Sequence, residues 1–366
     1  MKVKETVDPP RYSLTFPIYQ TSAFKLPEGD RYRYGRENNP TVEELSRIIS
    51  ELEGAESTTC FSSGMGAIST SLLSLLKPGS RLLLPLDLFA RTRNLATGFL
   101  REWGVEVTTS GTGTENILKS LKEGTVVFLE AISNPSLRVY DIERISDSVH
   151  EKGGILIVDS TFATPINLKP LELGADLSLH SLSKFIGGHN DIIAGSISGR
   201  NELITIIDNF RRTLGTNLDP NTAFLAIRGI KTLELRINKG NENAFYLAKK
   251  LSELNVFDEV IYPGLDGHPD HLIASHQLSG YGPVLSFRVR KGAENPIELM
   301  KKLRYIEPAN TLGSVNTVIS HPKTMSHRSL GREELREIGV DENFFRLSVG
   351  TENPDTILED ILRMVR

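Results

Sequence analysis

The 366-residue sequence has a single cysteine, no long apolar run and no marked excess of charge of one sign. The lone Cys60 excludes an internal disulfide framework and a cluster of thiolate metal ligands. The opening MKVKETVDPP lacks the apolar core of a secretory signal, and no apolar run approaches the roughly 18 residues that span a bilayer. Lys and Arg total 42 against 46 Asp and Glu, so no basic excess indicates nucleic-acid binding. We expect a cytoplasmic protein with neither a membrane nor a nucleic-acid partner, and at this size an enzyme.

The chain divides by pattern into three predicted regions. Residues 1–45 are rich in Pro and turn-forming residues, and RYRYGRENNP at 31–40 predicts either an exposed arm or an ordinary surface loop. The segment from Thr41 to Glu44 predicts a helix start with Thr41 as its N-cap. Residues 46–235 form a predicted large domain, and residues 236–366 form a smaller α+β domain.

Short apolar runs alternate with helical patterns between residues 57 and 200. The run ILIV, within GILIVDS at 154–160, lacks the alternation of a half-exposed strand and is typical of strands buried on both faces. The repetition of strand, helix and strand predicts an α/β fold with a mostly parallel sheet covered by helices. Ligands bind such a sheet beyond the carboxyl ends of its strands, so the residues that follow each strand form the candidate site.

Three features follow predicted strands. The small residues at 62–66 open a helix, which fits a phosphate site or a plain helix start. Asp159 closes an apolar strand, where its carboxylate needs a partner such as a cationic ring nitrogen, or else caps the next helix. Lys184 is by itself most simply a surface lysine. A phosphate cradle, a buried acid and a lysine at one sheet edge together suit pyridoxal phosphate.

Two other kinds of site are compatible with parts of the sequence. GMGAIS at 64–69 is close to the dinucleotide-binding fingerprint, and Asp87 follows about 20 residues later, as in an NAD-dependent oxidoreductase. That interpretation leaves the lysine and the buried acid unexplained. His268, His271 and His276 suggest a metal, but they lie in a Gly/Pro/Asp-rich stretch without a thiolate, and a solvated loop is favoured. No feature supports a non-catalytic assembly protein.

A series of motifs runs in order from Pro17 nearly to the C-terminus: PIYQTSAF (17–24), YGRENNPT (34–41), SSGMGAI (62–68), EAISNP (130–135), VDSTFATP (158–165), HSLSKFIGGHNDIIAG (180–195), RGIKTLELR (228–236), YPGL (262–265), HPKTMSH (321–327) and RLSVGTEN (346–353). In these motifs the chain resembles the Cys/Met-metabolism family of pyridoxal-phosphate enzymes, which includes cystathionine γ-synthase, cystathionine γ-lyase, methionine γ-lyase and O-acetylhomoserine sulfhydrylase. The resemblance implies a fold-type I PLP-dependent transferase. It also implies that residues 1–45 reach a neighbouring subunit, within a tetramer of close dimers.

The resemblance further implies roles for individual residues. Lys184 is implied as the residue that carries the cofactor and moves protons, and Asp159 as the partner of its pyridine nitrogen. The implied phosphate-binding residues are Ser63, Gly64, Met65, Ser181 and Ser183, with Tyr34 and Arg36 supplied by a neighbouring subunit. The implied substrate-binding residues are Arg346 for the α-carboxylate, Asn134 near the cofactor or substrate, and Thr311.

Two departures from the family pattern bear on the substrate. Phe89-Ala90-Arg91-Thr92 stands where the family usually has Tyr-Gly-Gly-Thr, so Phe89 occupies a catalytic position without a phenol, and Arg91 adds a cation. Thr311-Leu312-Gly313 replaces Ser-Leu-Gly, and Asn316 stands where a Glu is often found. The resemblance implies a cystathionine γ-synthase-like replacement on O-acyl-homoserine with cysteine. The alternatives are γ-elimination from cystathionine or methionine, and O-acetylhomoserine sulfhydrylation.

Overall fold

A computed structural model describes residues 13–25, 32–290, 295–328 and 330–366. The predicted arm, residues 1–45, therefore lies partly outside the described residues. In the part of the chain that is described, two sheets form, one of seven strands and one of five. None of the helices in these ranges is long and apolar enough to cross a membrane.

The larger sheet contains strands β1 (Ser57–Phe61), β2 (Arg81–Pro85), β3 (Glu106–Ser110), β4 (Thr125–Glu130), β5 (Ile155–Asp159), β6 (Leu177–Ser181) and β7 (Gly195–Gly199). Their order across the sheet is β1-β7-β6-β5-β4-β2-β3. The five strands β6, β5, β4, β2 and β3 run parallel to one another. Strand β7 is antiparallel to both of its neighbours, β1 and β6. The predicted α/β fold with a mostly parallel sheet is thus confirmed.

Helices cover both faces of this sheet, as the unbroken apolar strands predict. Val127 and Leu129 of β4 pack into one apolar cluster, while Val126 and Phe128 of the same strand pack into another. Alternate side chains of a strand point to opposite faces, so the two clusters lie on the two sides of the sheet. The helices up to residue 230 are α1 (Pro40–Glu53), α2 (Gly64–Leu75), α3 (Ala90–Asn94), α4 (Thr114–Ser120), α5 (Ile142–Glu151), α6 (Thr164–Asn167), α7 (Asn201–Leu214) and α8 (Pro220–Ile230), with a π-helical segment at Leu95–Leu100 and a 3₁₀ turn at Pro170–Leu173.

The second sheet belongs to the C-terminal part of the chain. Its strands are β8 (Phe257–Ile261), β9 (Val284–Val289), β10 (Glu307–Pro308), β11 (Val318–Ser320) and β12 (Phe344–Ser348), in the order β10-β11-β12-β9-β8. The remaining helices are α9 (Leu233–Ser252), α10 (His271–Gln277), α11 (Pro296–Lys301), α12 (Arg332–Glu337) and α13 (Pro354–Val365). The proposed boundaries at residues 45 and 235 fall inside α1 and α9, and both helices continue without a break.

The start of α1 differs from the prediction. The helix begins at Pro40, and its N-cap is Asn39, whose side chain accepts a hydrogen bond from the backbone N–H of Thr41 at 2.9 Å. Asn is a strong N-cap residue and Pro is favoured in the first helical position, so this pair prevails over the Thr41 capping box. The Thr41 hydroxyl instead donates to the carbonyl of Pro17 and accepts from the N–H of Tyr19, both at 2.9 Å. Thr41 thereby attaches the preceding segment to the large domain.

Candidate active site

A cavity of about 840 Å³ opens at the carboxyl ends of β4, β5 and β6 and is bounded on its other side by residues 310–312 and 324–326, Arg328 and Arg346. Eleven of the predicted site residues line it: Ser63, Gly64, Met65, Phe89, Asn134, Asp159, Ser181, Ser183, Lys184, Thr311 and Arg346. Its volume is within the range of small-molecule and cofactor sites. The structure thus brings residues that are far apart in sequence into one cavity.

Lys184 lies just beyond β6, with its ammonium group facing the second sheet. Its Nζ donates to the hydroxyl of Thr311 at 3.3 Å. Burial lowers the pKa of Lys184, and the nearby charge of Arg346 lowers it further. A lowered pKa increases the fraction of neutral amine, which is the form that attacks a carbonyl or removes a proton.

Gly313 allows the segment with Thr311 to pack directly against the backbone at Lys184. The residue has a φ of +87°, and a Cβ built on it would lie 2.5 Å from the backbone nitrogen of Phe185 and 2.7 Å from the carbonyl carbon of Lys184. A side chain at Gly313 would therefore clash with backbone atoms and adopt a strained conformation. The short contact fixes the distance between the lysine and its threonine partner.

Asp159 is the last residue of β5 and stands opposite Glu130 in the register of β4 and β5. Its Oδ1 accepts hydrogen bonds from the N–H and the hydroxyl of Thr161, whereas Oδ2 has no partner among the described residues. Burial raises the pKa of Asp159, and the bonds from Thr161 oppose that rise. Asp159 does not cap α6, which begins at Thr164. A partly buried carboxylate with one free oxygen in a cavity is suited to a positively charged N–H group.

Glu130 is a site residue to which the sequence analysis assigned no role. Its Oε1 accepts from the N–H of Phe89 at 2.8 Å, and its Oε2 accepts from the N–H of Asn134 at 3.1 Å. Burial and the neighbouring Asp159 hold the pKa of Glu130 well above its ordinary value. Glu130 thus holds together two walls of the cavity. The signal that could have identified Glu130 is its position at the end of a strand, as for Asp159 at the end of the neighbouring strand.

Arg346 lies in β12 and is only 3% exposed. Its Nη1 donates to Oδ1 of Asn134 at 2.8 Å, and its Nη2 donates to the carbonyl of Thr311 at 2.9 Å. The Nε is buried without a partner in the described part of the chain. Burial lowers the pKa of Arg346 to about 10. A buried guanidinium with an unsatisfied donor requires an anion, and a carboxylate matches its forked geometry.

The predicted phosphate cradle forms where α2 begins. Ser63 caps the helix by accepting the N–H of Gly66 at 2.9 Å. A Cβ at Gly64 would lie 3.0 Å from the side chain of Ser181, so a larger residue would fill the space beside that hydroxyl. The hydroxyl of Ser183 accepts the N–H of Ala194 at 3.0 Å. The start of a 12-residue helix, with glycine and serine around it, offers free N–H groups and a favourable dipole to an anion.

Tyr34 and Arg36 do not line the cavity of their own chain. The Nη1 of Arg36 donates to the carbonyl of Arg212 at 2.6 Å, and its guanidinium lies 5.5 Å from the centre of the Tyr34 ring. The Tyr34 side chain is 46% exposed. Their predicted role in the site of a neighbouring subunit remains a prediction.

The structure gives no support to the dinucleotide and metal alternatives. Asp87 is fully buried outside the cavity and accepts a hydrogen bond from the hydroxyl of Tyr140 at 2.6 Å, so it is not available to a ribose. Among the described residues, no group of three or more His, Cys, Asp or Glu side chains is arranged to hold a metal ion.

Several cavity residues were not predicted as site residues. Besides Glu130 and Arg91, the lining includes Ile68, Ala90, Ile132, Thr161, Phe162, Leu179, Ile193, Asn310, Leu312, Thr324, Met325, Ser326 and Arg328. The residues at 324–326 belong to the HPKTMSH motif, which was noted in the sequence without a role. Arg91 was expected to bring a cation close to the site, and it does line the cavity.

The chain is similar to known proteins over nearly its whole length. Residues 1–365 match the family described as Cys/Met metabolism PLP-dependent enzyme. Cystathionine gamma-synthase 1, chloroplastic, of Arabidopsis thaliana is 38% identical over 96% of this chain and 65% of its own length, so the chain spans just under two thirds of that relative. L-methionine gamma-lyase of Fusobacterium nucleatum subsp. polymorphum is 38% identical over 95% and 92% of the two chains. The crystal structure of cystathionine gamma synthase from Xanthomonas oryzae pv. oryzae in complex with aminoacrylate and cysteine superposes with a TM-score of 0.92 at 33% identity, over 96% and 93%.

The cavity residues fit the cofactor of this family. Lys184 offers an amine of lowered pKa, Asp159 offers a free carboxylate oxygen, and the start of α2 offers a cradle for a phosphate. Each is a group that pyridoxal phosphate requires. The chain belongs to the Cys/Met metabolism family of PLP-dependent enzymes, which act on C–S bonds, and its cofactor is pyridoxal phosphate.

Proposed function

We propose that this enzyme replaces the γ-substituent of an O-acyl-homoserine by the thiol of cysteine, as a cystathionine γ-synthase does. The observation that carries the proposal is the link between Lys184 and Arg346 through Thr311, whose hydroxyl accepts from Nζ and whose carbonyl accepts from Nη2. A substrate whose α-carboxylate binds Arg346 is thereby held near the lysine. Similarity to two γ-synthases over nearly the whole chain supports the proposal.

Each residue has a separate task in the proposed reaction. When bound, the cofactor supplies an electron sink for the negative charge that develops next to the amine of the substrate. Arg346 orients the α-carboxylate, and Lys184 removes and returns protons at Cα and Cβ. Asp159 stabilises a proton on the ring nitrogen of the cofactor. Glu130 fixes Phe89 and Asn134 through their backbone N–H groups.

The proton transfers at Cα and Cβ allow the γ-substituent to leave. The bond between Cγ and oxygen breaks and the acid departs as its carboxylate with the electron pair. The sulfur of cysteine then forms the new bond to Cγ, and the thiol proton is released to the solvent. Phe89 is aromatic and lines the cavity, so it would pack against the ring of the bound cofactor, but it offers no acidic hydroxyl. Lys184 is therefore the group assigned to the proton transfers at Cα and Cβ.

The alternative is γ-elimination, which the similarity to a methionine γ-lyase supports. Product analysis separates the two. The holoenzyme is incubated with an O-acyl-homoserine and cysteine, and separately with cystathionine and with methionine. Cystathionine as the main product supports the synthase. If cystathionine or methionine is instead cleaved to 2-oxobutanoate and no cystathionine is formed, the enzyme is a lyase.

We also propose a cytoplasmic homo-oligomer, a tetramer of close dimers, in which Tyr34 and Arg36 complete the phosphate site of a neighbouring subunit. The support is that both lie outside the cavity of their own chain, and that Tyr34 is half exposed. The test mixes two inactive variants, Arg36→Gln and Lys184→Ala. Shared sites predict that mixed oligomers recover part of the activity, because one site in a mixed dimer is intact. No recovery after subunit exchange is demonstrated would refute shared sites.

A further inference from the structure

The cavity holds more positive than negative side chains. Its titratable lining comprises four cations and two acids, namely Arg91, Lys184, Arg328, Arg346, Glu130 and Asp159. Lys184, Asp159 and Arg346 have assigned tasks in the proposed reaction, and Glu130 is held by two backbone N–H groups. Within the described residues, the side chains of Arg91 and Arg328 have neither a hydrogen bond nor an acidic partner, and both residues are exposed. The proposed reaction assigns no task to these two cations.

Arg91 and Arg328 reach the cavity from two segments of the chain whose neighbouring residues contact each other. Arg91 is the second residue of α3, and Arg328 is the last residue of the turn at 322–328. The Nη1 of Arg93, also in α3, donates to Oε1 of Glu334 in α12 at 2.8 Å, and the Arg93 side chain is 8% exposed. Leu86 and Leu330 also share one apolar cluster. One ion pair and one apolar cluster therefore join the two segments of the chain that lie next to Arg91 and Arg328 in sequence.

These joined segments lie on the side of the cavity that is proposed to bind the substrate. The carboxylate of Glu130 accepts hydrogen bonds from the backbone N–H groups of Phe89, two residues before Arg91, and of Asn134. The side chain of Asn134 in turn accepts a hydrogen bond from Arg346. The proposed phosphate donors instead lie at the start of α2 and the end of β6. The backbone of Phe89, two residues before Arg91, is therefore linked by hydrogen bonds to the proposed α-carboxylate site, and Arg91 shares no element with the phosphate cradle.

We propose that Arg91 and Arg328 bind an anionic group at the far end of the γ-substituent. The preferred donor is then a homoserine ester that ends in a carboxylate or a phosphate, and a neutral acetyl ester is a poorer substrate. Guanidinium groups bind both kinds of anion through paired N–H donors. This inference rests on the proposed γ-replacement.

The test compares O-succinyl-, O-phospho- and O-acetyl-L-homoserine, each with cysteine, in the wild-type holoenzyme and in Arg91→Gln, Arg328→Gln and the double variant. We expect each single variant to raise KM for the anionic esters on the order of tenfold, and the double variant more, with less change in kcat. The acetyl ester should change less than twofold. The better of the two anionic esters identifies whether the natural group is a carboxylate or a phosphate.

The matched controls are Arg101→Gln and Arg332→Gln, two exposed arginines near the same elements that do not line the cavity. They should leave the ester preference unchanged. Titration of the apoenzyme with pyridoxal phosphate gives a second measurement. A loss of cofactor affinity in Arg91→Gln would assign this arginine to the cofactor phosphate and overturn the proposal.

Two further results would also overturn the proposal. One is an equal loss with all three esters, or a rise in KM for cysteine alone, because the arginines would then bind the second substrate. The other is a wild-type enzyme that prefers the acetyl ester. These results leave the γ-synthase function standing. If no ester reacts while cystathionine is cleaved, the proposed function fails and the donor assignment fails with it.

Discussion

The two sides of the cavity differ in how their polar groups are satisfied. On the side of the large sheet, Asp159 ends β5, and Ser63 and Lys184 lie shortly after β1 and β6; free donors or acceptors there face the cavity. On the side of the second sheet, Arg346 is held by Asn134 and Thr311, whereas Arg328 has no partner among the described residues. The first side carries groups that suit the cofactor, and the second carries Arg346, which suits a substrate carboxylate. Arg91, in α3, adds a cation on the first side.

The largest effect is expected from the large-sheet side, where Lys184→Ala removes the proposed proton carrier. Turnover should fall by at least about 10²-fold, because general acid–base catalysis alone contributes roughly 10²–10⁴. Steady-state kinetics measure the loss, and circular dichroism should show an unchanged fold. Lys231→Ala, at an exposed position outside the cavity, is the control. Full activity of Lys184→Ala would refute the proposed mechanism.

On the side of the second sheet, Arg346→Gln should raise KM for the amino-acid substrate by on the order of 100-fold, because a charge-assisted pair to the carboxylate is lost. The measurement is the separate determination of kcat and KM. Arg346→Lys keeps the charge but lacks the forked geometry, so it should recover only part of the affinity. A variant with normal KM and reduced kcat would show that Arg346 does not bind the carboxylate.

The two sides also interact electrostatically, since burial and then the charge of Arg346 lower the pKa of Lys184. Arg346→Gln should therefore raise the pKa of Lys184 toward its ordinary value. The measurement is the pH dependence of acylation at Lys184 in the apoenzyme, followed by mass spectrometry. Because only the neutral amine reacts, the midpoint should move to higher pH in the variant. A midpoint that stays in place or moves lower contradicts this coupling.

The smallest effect on activity is expected outside the cavity, at Tyr140→Phe. The Tyr140 hydroxyl donates to the buried Asp87 at 2.6 Å, and burial already raises the pKa of that acid. Loss of the donor should lower the free energy of unfolding by about 1–3 kcal/mol, with kcat and KM unchanged. Urea denaturation and kinetics measure the two quantities. A specific loss of cofactor or substrate binding would indicate that Asp87 belongs to the site after all.

The residues of the large-sheet side could be identified from sequence because each has a local signal. Parallel strands bring their carboxyl ends to one edge, so Asp159 at the end of ILIV and Lys184 beyond the next strand had to lie near each other. The same rule places Glu130 at this edge of the sheet. An acid at the end of a strand does not show, however, which N–H groups will donate hydrogen bonds to it. The N-cap of α1 was assigned wrongly because Asn39-Pro40 and Thr41-Val-Glu-Glu44 are both good helix starts.

The alternation of strands and helices along the chain therefore accounts for the α/β sheet, since it follows from interactions between residues close in sequence. The common direction of parallel strands accounts for the cofactor side of the cavity. The resemblance of the FRLSVG segment supplied Arg346, but nothing in the sequence placed it beside Asn134 or placed Arg328 and Arg91 in the same cavity. Those positions depend on how the second sheet packs against the first. Packing is decided by contacts such as Gly313 against Lys184 and Arg93 with Glu334, between residues that are distant in the chain.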